Sequence, residues 1–349
     1  MKKKVTIQDI ADALGISRNT VSKAINNSGG LADSTREKIL QKAVEMGYKQ
    51  FSYVQSLTKV AGTQTGTENS RPGYAGEIAL LSSMFIHPSH FASLMLERFQ
   101  RELAQLGYTL NTHLVRPDDL KNRALPITFV KENVRGIVCF EMFDWDYDEM
   151  LCELEIPILF VDGPCRRDGK ALPADQLLMD NSSGVAQLVN DMLKAGFRRI
   201  GFIGNCDHCE SFFERFITYR GMMIMAEAPV KEEWIIREND PEEIRKYLSA
   251  ISEWPDLFIC ANDFIAADVM LMLERLGKKV PDDVMLAGFD DSAESRLIRP
   301  ALTTIHIHTQ VMAYSAMQLL ISWIENPTLD FRTVYTETYL IYRDSAPLG

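Results

Sequence analysis

An all-α helix-turn-helix headpiece, followed by an α/β body of two doubly wound parallel sheets, is the fold this sequence predicts. Three observations carry that expectation. The first 48 residues hold short amphipathic helical stretches punctuated by capping residues and glycine. From Glu77 onward, short apolar runs alternate with stretches of helical periodicity. The two parts also differ in charge. Residues 1–60 hold ten Lys/Arg and five Asp/Glu, a net of +5, so the remainder carries −16 against −11 for the whole chain. A basic head on an acidic body suits a head that touches phosphate and a body that does not.

Val5 to Ile25 opens the headpiece. Ile7, Ile10, Ala11 and Leu14 fall at i, i+3, i+4 and i+7, one apolar stripe on a short helix. Thr6 precedes the stripe as an N-cap, and Asp9 complements the helix start. Gly15 stops the helix because it adopts positive φ at little cost. Ser17 caps a second helix that turns Val21, Ala24 and Ile25 inward and Arg18, Asn19, Ser22 and Lys23 outward, with Thr20 near its start. Two short helices about a glycine turn make a helix-turn-helix, and the outward residues are of the types that read base edges and grip phosphates. A plain amphipathic hairpin would share the first of these features. Ser34-Thr35-Arg36-Glu37 has the form of a capping box and opens a third helix, with Ile39, Leu40, Ala43 and Val44 apolar. Thr58 to Gly76 is polar and glycine-containing and reads as a flexible linker. The expected domains are therefore a headpiece over 1–48, a hinge and linker over 49–76, and a body over 77–349.

In the body, strands are expected at 78–81, 108–114, 136–140, 158–161, 199–204, 234–236, 257–260 and 284–289. Helices are expected at 91–106, 181–195, 211–226, 241–251 and 263–276. Apolar strands separated by helices imply parallel sheets covered on both faces. Two such series of about 100 residues each imply two subdomains, with a ligand crevice at the carboxyl ends of the strands.

The headpiece resembles that of the lactose-repressor (LacI/GalR) family. The matching residues are Val-Thr-Ile-Gln-Asp-Ile-Ala at 5–11, Gly-Ile-Ser-x-x-Thr-Val-Ser at 15–22, Thr-Arg-Glu-Lys-Ile at 35–39 and Gly-Tyr at 47–48. The body resembles the same family across nearly all of 77–343. Its matches are Met179-Asp180-Asn181-x-x-Gly184, Ala261-Asn262-Asp263, Gly288-Phe289-Asp290-Asp291 and Pro300 through His306. The resemblance implies that the second helix enters the major groove, with Arg18 and Asn19 reading bases and Lys23 close by. It places Thr6, Ser17, Thr20, Ser22 and Asn26 on or beside the DNA backbone, and Leu57 as a wedge that kinks a minor-groove step. It also implies a body folded like periplasmic sugar-binding proteins. In its pocket Arg215 and Asp263 would grip adjacent hydroxyls, Asp162 would supply a third polar group, and His90 and Phe91 an aromatic wall. Departures from the family pattern stand at Gln50, where proline is usual, at Thr218, where glycine is usual, at Asn239-Asp240-Pro241, where an aromatic is common, and in the long 58–76 linker.

Other signals point away from other classes. No apolar run approaches about 18 residues, so no membrane span is expected. Met-Lys-Lys-Lys followed by polar helix is not a signal peptide, which points to the cytoplasm. Cys206-Asp-His-Cys209 has no partner pair for zinc, so no metal is expected. No phosphate-binding glycine loop and no nucleophile–base constellation is visible, so neither a cofactor nor catalysis is expected. Phe289 is expected to pack as core beneath the Asp290-Asp291 turn. The expectation is a homodimeric transcription regulator, acting as a repressor on a palindromic operator under control of a small carbohydrate effector. The competing reading is a sugar-binding module uncoupled from a degenerate head.

Overall fold

The computed structural model describes residues 6–25, 73–84, 91–328 and 330–348, and within 26–50 only Thr35, Lys38, Ile39, Lys42, Ala43 and Met46. Asn26, Leu57 and His90, together with the 34–37 capping box and the hinge, lie outside the described residues. The chain divides into two compact units, Met1–Arg71 and Pro72–Gly349.

In the first unit, α1 spans Ile7–Leu14 and α2 spans Arg18–Ile25. Thr6 and Asp9 form a reciprocal capping box: the Asp9 amide donates to Thr6 Oγ1 at 3.2 Å and the Thr6 amide donates to Asp9 Oδ2 at 2.8 Å. Gly15 ends α1 at φ 64°. Ser17 starts α2, its Oγ accepting the Thr20 amide at 3.1 Å. Ile10 and Ala11 of α1 and Val21 and Ala24 of α2 close on Ile39 and Ala43 as a small buried core.

The second unit is built on two parallel sheets. The strands of the larger are β1 (Gly76–Ser82), β2 (Tyr108–Leu114), β3 (Val134–Phe140), β4 (Ile158–Val161), β5 (Asp175–Met179) and β11 (Thr333–Thr336), ordered β11-β5-β4-β3-β1-β2. The smaller has β6 (Ile200–Ile203), β7 (Ile235–Ile236), β8 (Leu257–Cys260) and β9 (Met285–Ala287), ordered β7-β6-β8-β9. Successive strand residues point to opposite faces, and here both faces are covered. Ile78 and Leu80 enter one core cluster while Ala79 and Leu81 enter another. Ile137/Val138 and Ile158/Leu159 divide in the same way, which is why these strands read as unbroken apolar runs.

The helices are α3 (Phe91–Gln105), α4 (Pro117–Asn122), α5 (Trp145–Cys152), α6 (Ser183–Lys194), α7 (Glu210–Met225), α8 (Pro241–Ala250), α9 (Asp263–Arg275), α10 (Ala293–Leu297) and α11 (Thr309–Glu325). Two short strands, β10 (Thr304–Ile307) and β12 (Thr338–Ile341), pair antiparallel. The topology departs from two consecutive series in one respect. After β10 the chain returns as α11, which packs on α3, and then adds β11 as the edge of the first sheet before going back as β12. Two registers fasten this return: β11 pairs parallel to β5, and Arg332 donates to Asp175 Oδ2 at 2.5 Å. Sequence periodicity had assigned neither β5 nor α11, because pairing across more than 150 residues is not a local signal.

Candidate functional site

The carboxyl ends of the parallel strands converge on one cavity of about 60 Å³. Its walls include Phe91 from α3, Glu141 and Phe143 after β3, Asp162 after β4, Met179 of β5, His208 and Cys209 before α7, Phe212 and Arg215 on α7, Asn262 after β8 and Asp290 after β9. Parallel strands leave their C-terminal ends open toward a crevice, so residues at those ends are the ones a ligand meets. Glu141, Asp162 and Asp290 have positive φ (52°, 55° and 117°). Sterics disfavour this region for side chains other than glycine and make such residues notable beside a cavity.

Arg215 is 3% exposed. Its Nε donates to Asn181 Oδ1 at 2.9 Å and its Nη1 to the Ala261 carbonyl at 2.7 Å. The guanidinium carbon lies 3.5 Å from the centroid of the Phe289 ring and 5.7 Å from that of Phe212. Burial pulls the Arg215 pKa down, opposed by Asp290, Cys209, Asp162 and Asp263. Asn181 is held by donating to Ser211 Oγ at 3.2 Å and to Glu214 Oε2 at 2.7 Å. Asp162 Oδ1 accepts the Gly163 amide at 3.0 Å and the Ser211 amide at 3.2 Å. Burial pushes the Asp162 carboxyl up, and the nearby Arg215 charge works against that shift.

The structure brings Phe91, Asp162 and Arg215 together and puts Asp263 behind the wall. Asp263 is 1% exposed, at the first turn of α9. Its Oδ1 accepts from Thr304 Oγ1 at 2.5 Å and its Oδ2 from the Ser292 amide at 2.8 Å. Burial, then Asp290, raises its pKa. The neighbouring Asn262 takes the wall position while its Oδ1 caps α9 on the Ile265 amide at 2.9 Å. Gly288 allows this tight arrangement: a Cβ there would stand 2.3 Å from Asp263 Oδ1. Phe289 packs as core, 1% exposed, and serves as the platform for Arg215.

Sequence reasoning had not assigned Glu141, Phe143, Phe212, Asn262 or Asp290 to the wall. Their one local signal was position, directly after an apolar strand or one helical turn before Arg215. His208 and Cys209, on the loop after β6, both line the cavity, His208 lying 4.7 Å from Phe143 and 5.4 Å from Phe212 between ring centroids. Cys206 is buried away from the wall, where its carbonyl accepts from Cys165 Sγ at 3.6 Å. Among the described residues no group of three or more His, Cys, Asp or Glu could hold a metal ion.

On the separate headpiece unit, Arg18, Asn19 and Lys23 are exposed along α2, with Thr20 and Ser22 half-buried beside them. Thr6 and Ser17 are exposed and act as the helix caps.

A capped helix-turn-helix carrying a basic outer face, with a two-lobed α/β body around a polar cavity, defines a ligand-responsive DNA-binding protein. The profile of bacterial regulatory proteins of the lacI family matches residues 6–50, and that of the periplasmic binding protein-like domain matches residues 189–346. The chain is 26% identical to the probable HTH-type transcriptional repressor ExuR of Bacillus subtilis (strain 168), over 98% of each chain. It is 27% identical to the HTH-type transcriptional repressor PurR of Mannheimia succiniciproducens, over 97% of this chain and 98% of that one. Among solved structures, a transcriptional regulator CelR–cellobiose complex matches at TM-score 0.65 and 20% identity, covering 98% of this chain and all of that one. The lac repressor dimer bound to operator and the anti-inducer ONPF matches at 0.63 and 19%, covering 98% and 99%. Residues 6–50 thus carry the DNA-binding domain of the lacI family and residues 189–346 a periplasmic binding protein-like domain, and the relatives that the chain matches over nearly their whole length are transcriptional regulators rather than enzymes. No helix among the described residues is long and apolar enough to cross a membrane.

Proposed function

We propose that this protein is a cytoplasmic, homodimeric repressor that binds a palindromic operator and changes its DNA affinity when a small carbohydrate occupies the body's cavity. The observation that carries the reading is the convergence of Arg215, Asp162, Asn262 and aromatic rings on one strand-end cavity, in a chain that also bears an exposed Arg18/Asn19 face. Amide and carboxylate oxygens beside aromatic rings suit a polyhydroxylated ring, taking its hydroxyls at the edge and its C–H face on the rings. Arg18 and Asn19 read base edges, Lys23 grips phosphate, and Thr6, Ser17, Thr20, Ser22 and Asn26 position the helix on the backbone, with Leu57 as the minor-groove wedge. The relatives named as repressors support the sense of regulation, and the cellobiose-bound and operator-bound neighbours support the ligand class and the dimer. The outer side of α3, where Leu94 is 60% exposed, is the proposed dimer face.

The cavity is smaller than the roughly 150 Å³ that admits a benzene ring, so the two lobes must part to take in a sugar and close on it. The test is a titration of the full-length protein on palindromic and scrambled DNA, with and without a panel of sugars. Specific, salt-sensitive binding that one sugar shifts by tenfold or more is expected. Equal affinity for both DNAs would remove the sequence-reading role.

A further inference from the structure

The walls of the cavity are unusual in their charge. Three carboxylates, Glu141, Asp162 and Asp290, face a single guanidinium, that of Arg215. That guanidinium has its Nε and Nη1 committed to Asn181 and the Ala261 carbonyl, and one face lies against Phe289. Just behind stand Asp263, bonded to Thr304 and Ser292 with its carboxyl pushed up to about 8 by burial, and Glu210, paired with the Arg166 guanidinium at 3.7 Å, so the excess charge is that of the wall carboxylates themselves. The remaining walls include the rings of Phe91, Phe143, Phe212 and His208. Carboxylates alternating with aromatic rings form the environment that attracts a desolvated organic cation, through charge-assisted hydrogen bonds on one side and ring quadrupoles on the other. A carboxylate or phosphate group entering the same space would meet excess like charge in a low-dielectric setting, with two of Arg215's five N–H donors already committed.

From this we infer that the effector is a cationic carbohydrate: a sugar-sized polyol bearing a primary amine, of the amino-sugar class. The inference rests on the carbohydrate reading above and narrows it. The ammonium group lies toward Glu141 and Asp290, the hydroxyls toward Asp162, Asn262 and Arg215, and the ring C–H face toward Phe91 and Phe212.

Calorimetric titration of the full-length protein against three matched series tests it. The series are the amines glucosamine, galactosamine and mannosamine, the neutral glucose, galactose and mannose, and the acids glucuronate, galacturonate and mannuronate. At least one amine is expected to bind tenfold or more tightly than its neutral counterpart, with no heat from the corresponding acid. N-acetylation of that amine, which keeps the ring and removes the charge, should weaken binding at least tenfold, as should Glu141→Gln or Asp290→Asn. A neutral sugar or an acid binding as tightly as its matched amine would overturn the cationic assignment and leave the carbohydrate reading intact. A blank across all nine compounds would remove both.

Discussion

Asp148 sits fully buried on α5 with neither carboxylate oxygen hydrogen-bonded among the described residues. Burial, reinforced by Asp144, pushes its pKa up to about 8. A carboxyl whose folded value lies above its unfolded one contributes its full stability at low pH and loses it as pH rises from about 4 to about 8. Asp148→Asn, which cannot ionise, should therefore match the wild type near pH 4 and exceed it by several kcal/mol at pH 8, at about 1.4 kcal/mol per pH unit. Denaturant unfolding at both pH values checks this, and an unchanged pH dependence would show that the group is solvated. At the cavity, Arg215→Ala removes the tie between α7, Asn181 and the β8 end. It should abolish the effector response while operator binding persists, as read by titration with and without ligand. Asp263→Ala should act differently from a wall substitution. It strands the Thr304 hydroxyl and Ser292 amide, so the expected loss is in stability, about 1–3 kcal/mol, as well as in ligand response.

Caps and close approaches set what each element tolerates. Thr6→Ala removes half of the α1 capping box and should cost about 1 kcal/mol of headpiece stability. Gly288→Ala drives a methyl into Asp263 Oδ1 and Leu302 at the turn after β9. Thermal unfolding should show a loss of about 1–3 kcal/mol, the usual overpacking range, and a full wild-type melting temperature would mean that the turn yields freely. The same turn is fastened by Asp291. Burial would raise that carboxyl, but donors from His306, Arg296 and Arg343 outweigh it and hold it well below the ordinary carboxylate range. The cluster joins the β9 end to α10, β10 and the segment after β12, which are far apart in the chain.

At the scale of the whole molecule, charge separates the two tasks. The head carries the basic excess and the body the acidic one, so electrostatic attraction to DNA is confined to the end that reads it. Arg18→Ala should relax base preference at one position of the operator. Lys23→Ala should instead lower affinity on every sequence and reduce the salt slope by about 1. Anisotropy titrations over a salt series distinguish the two, and identical behaviour of both variants would reassign Arg18 to phosphate.

The family resemblance placed Arg215 and Asp162 in the pocket; local pattern alone determined the helix-turn-helix with its Thr6 and Ser17 caps, the buried strands up to β9 except β5, and a crevice at the strand ends. These depend on periodicity, capping chemistry and the rule that parallel strands open at their carboxyl ends, all of which act over a few residues. Only the tertiary structure decided that α11 and β11 return to the first sheet, because that pairing joins residues more than 150 positions apart. It also decided that Asp263 turns inward to Thr304 and Ser292 while Asn262 and Asp290 take the wall. Both carboxylates sit at strand ends, and which one faces the cavity depends on the hydrogen-bond donors that distant segments bring to each.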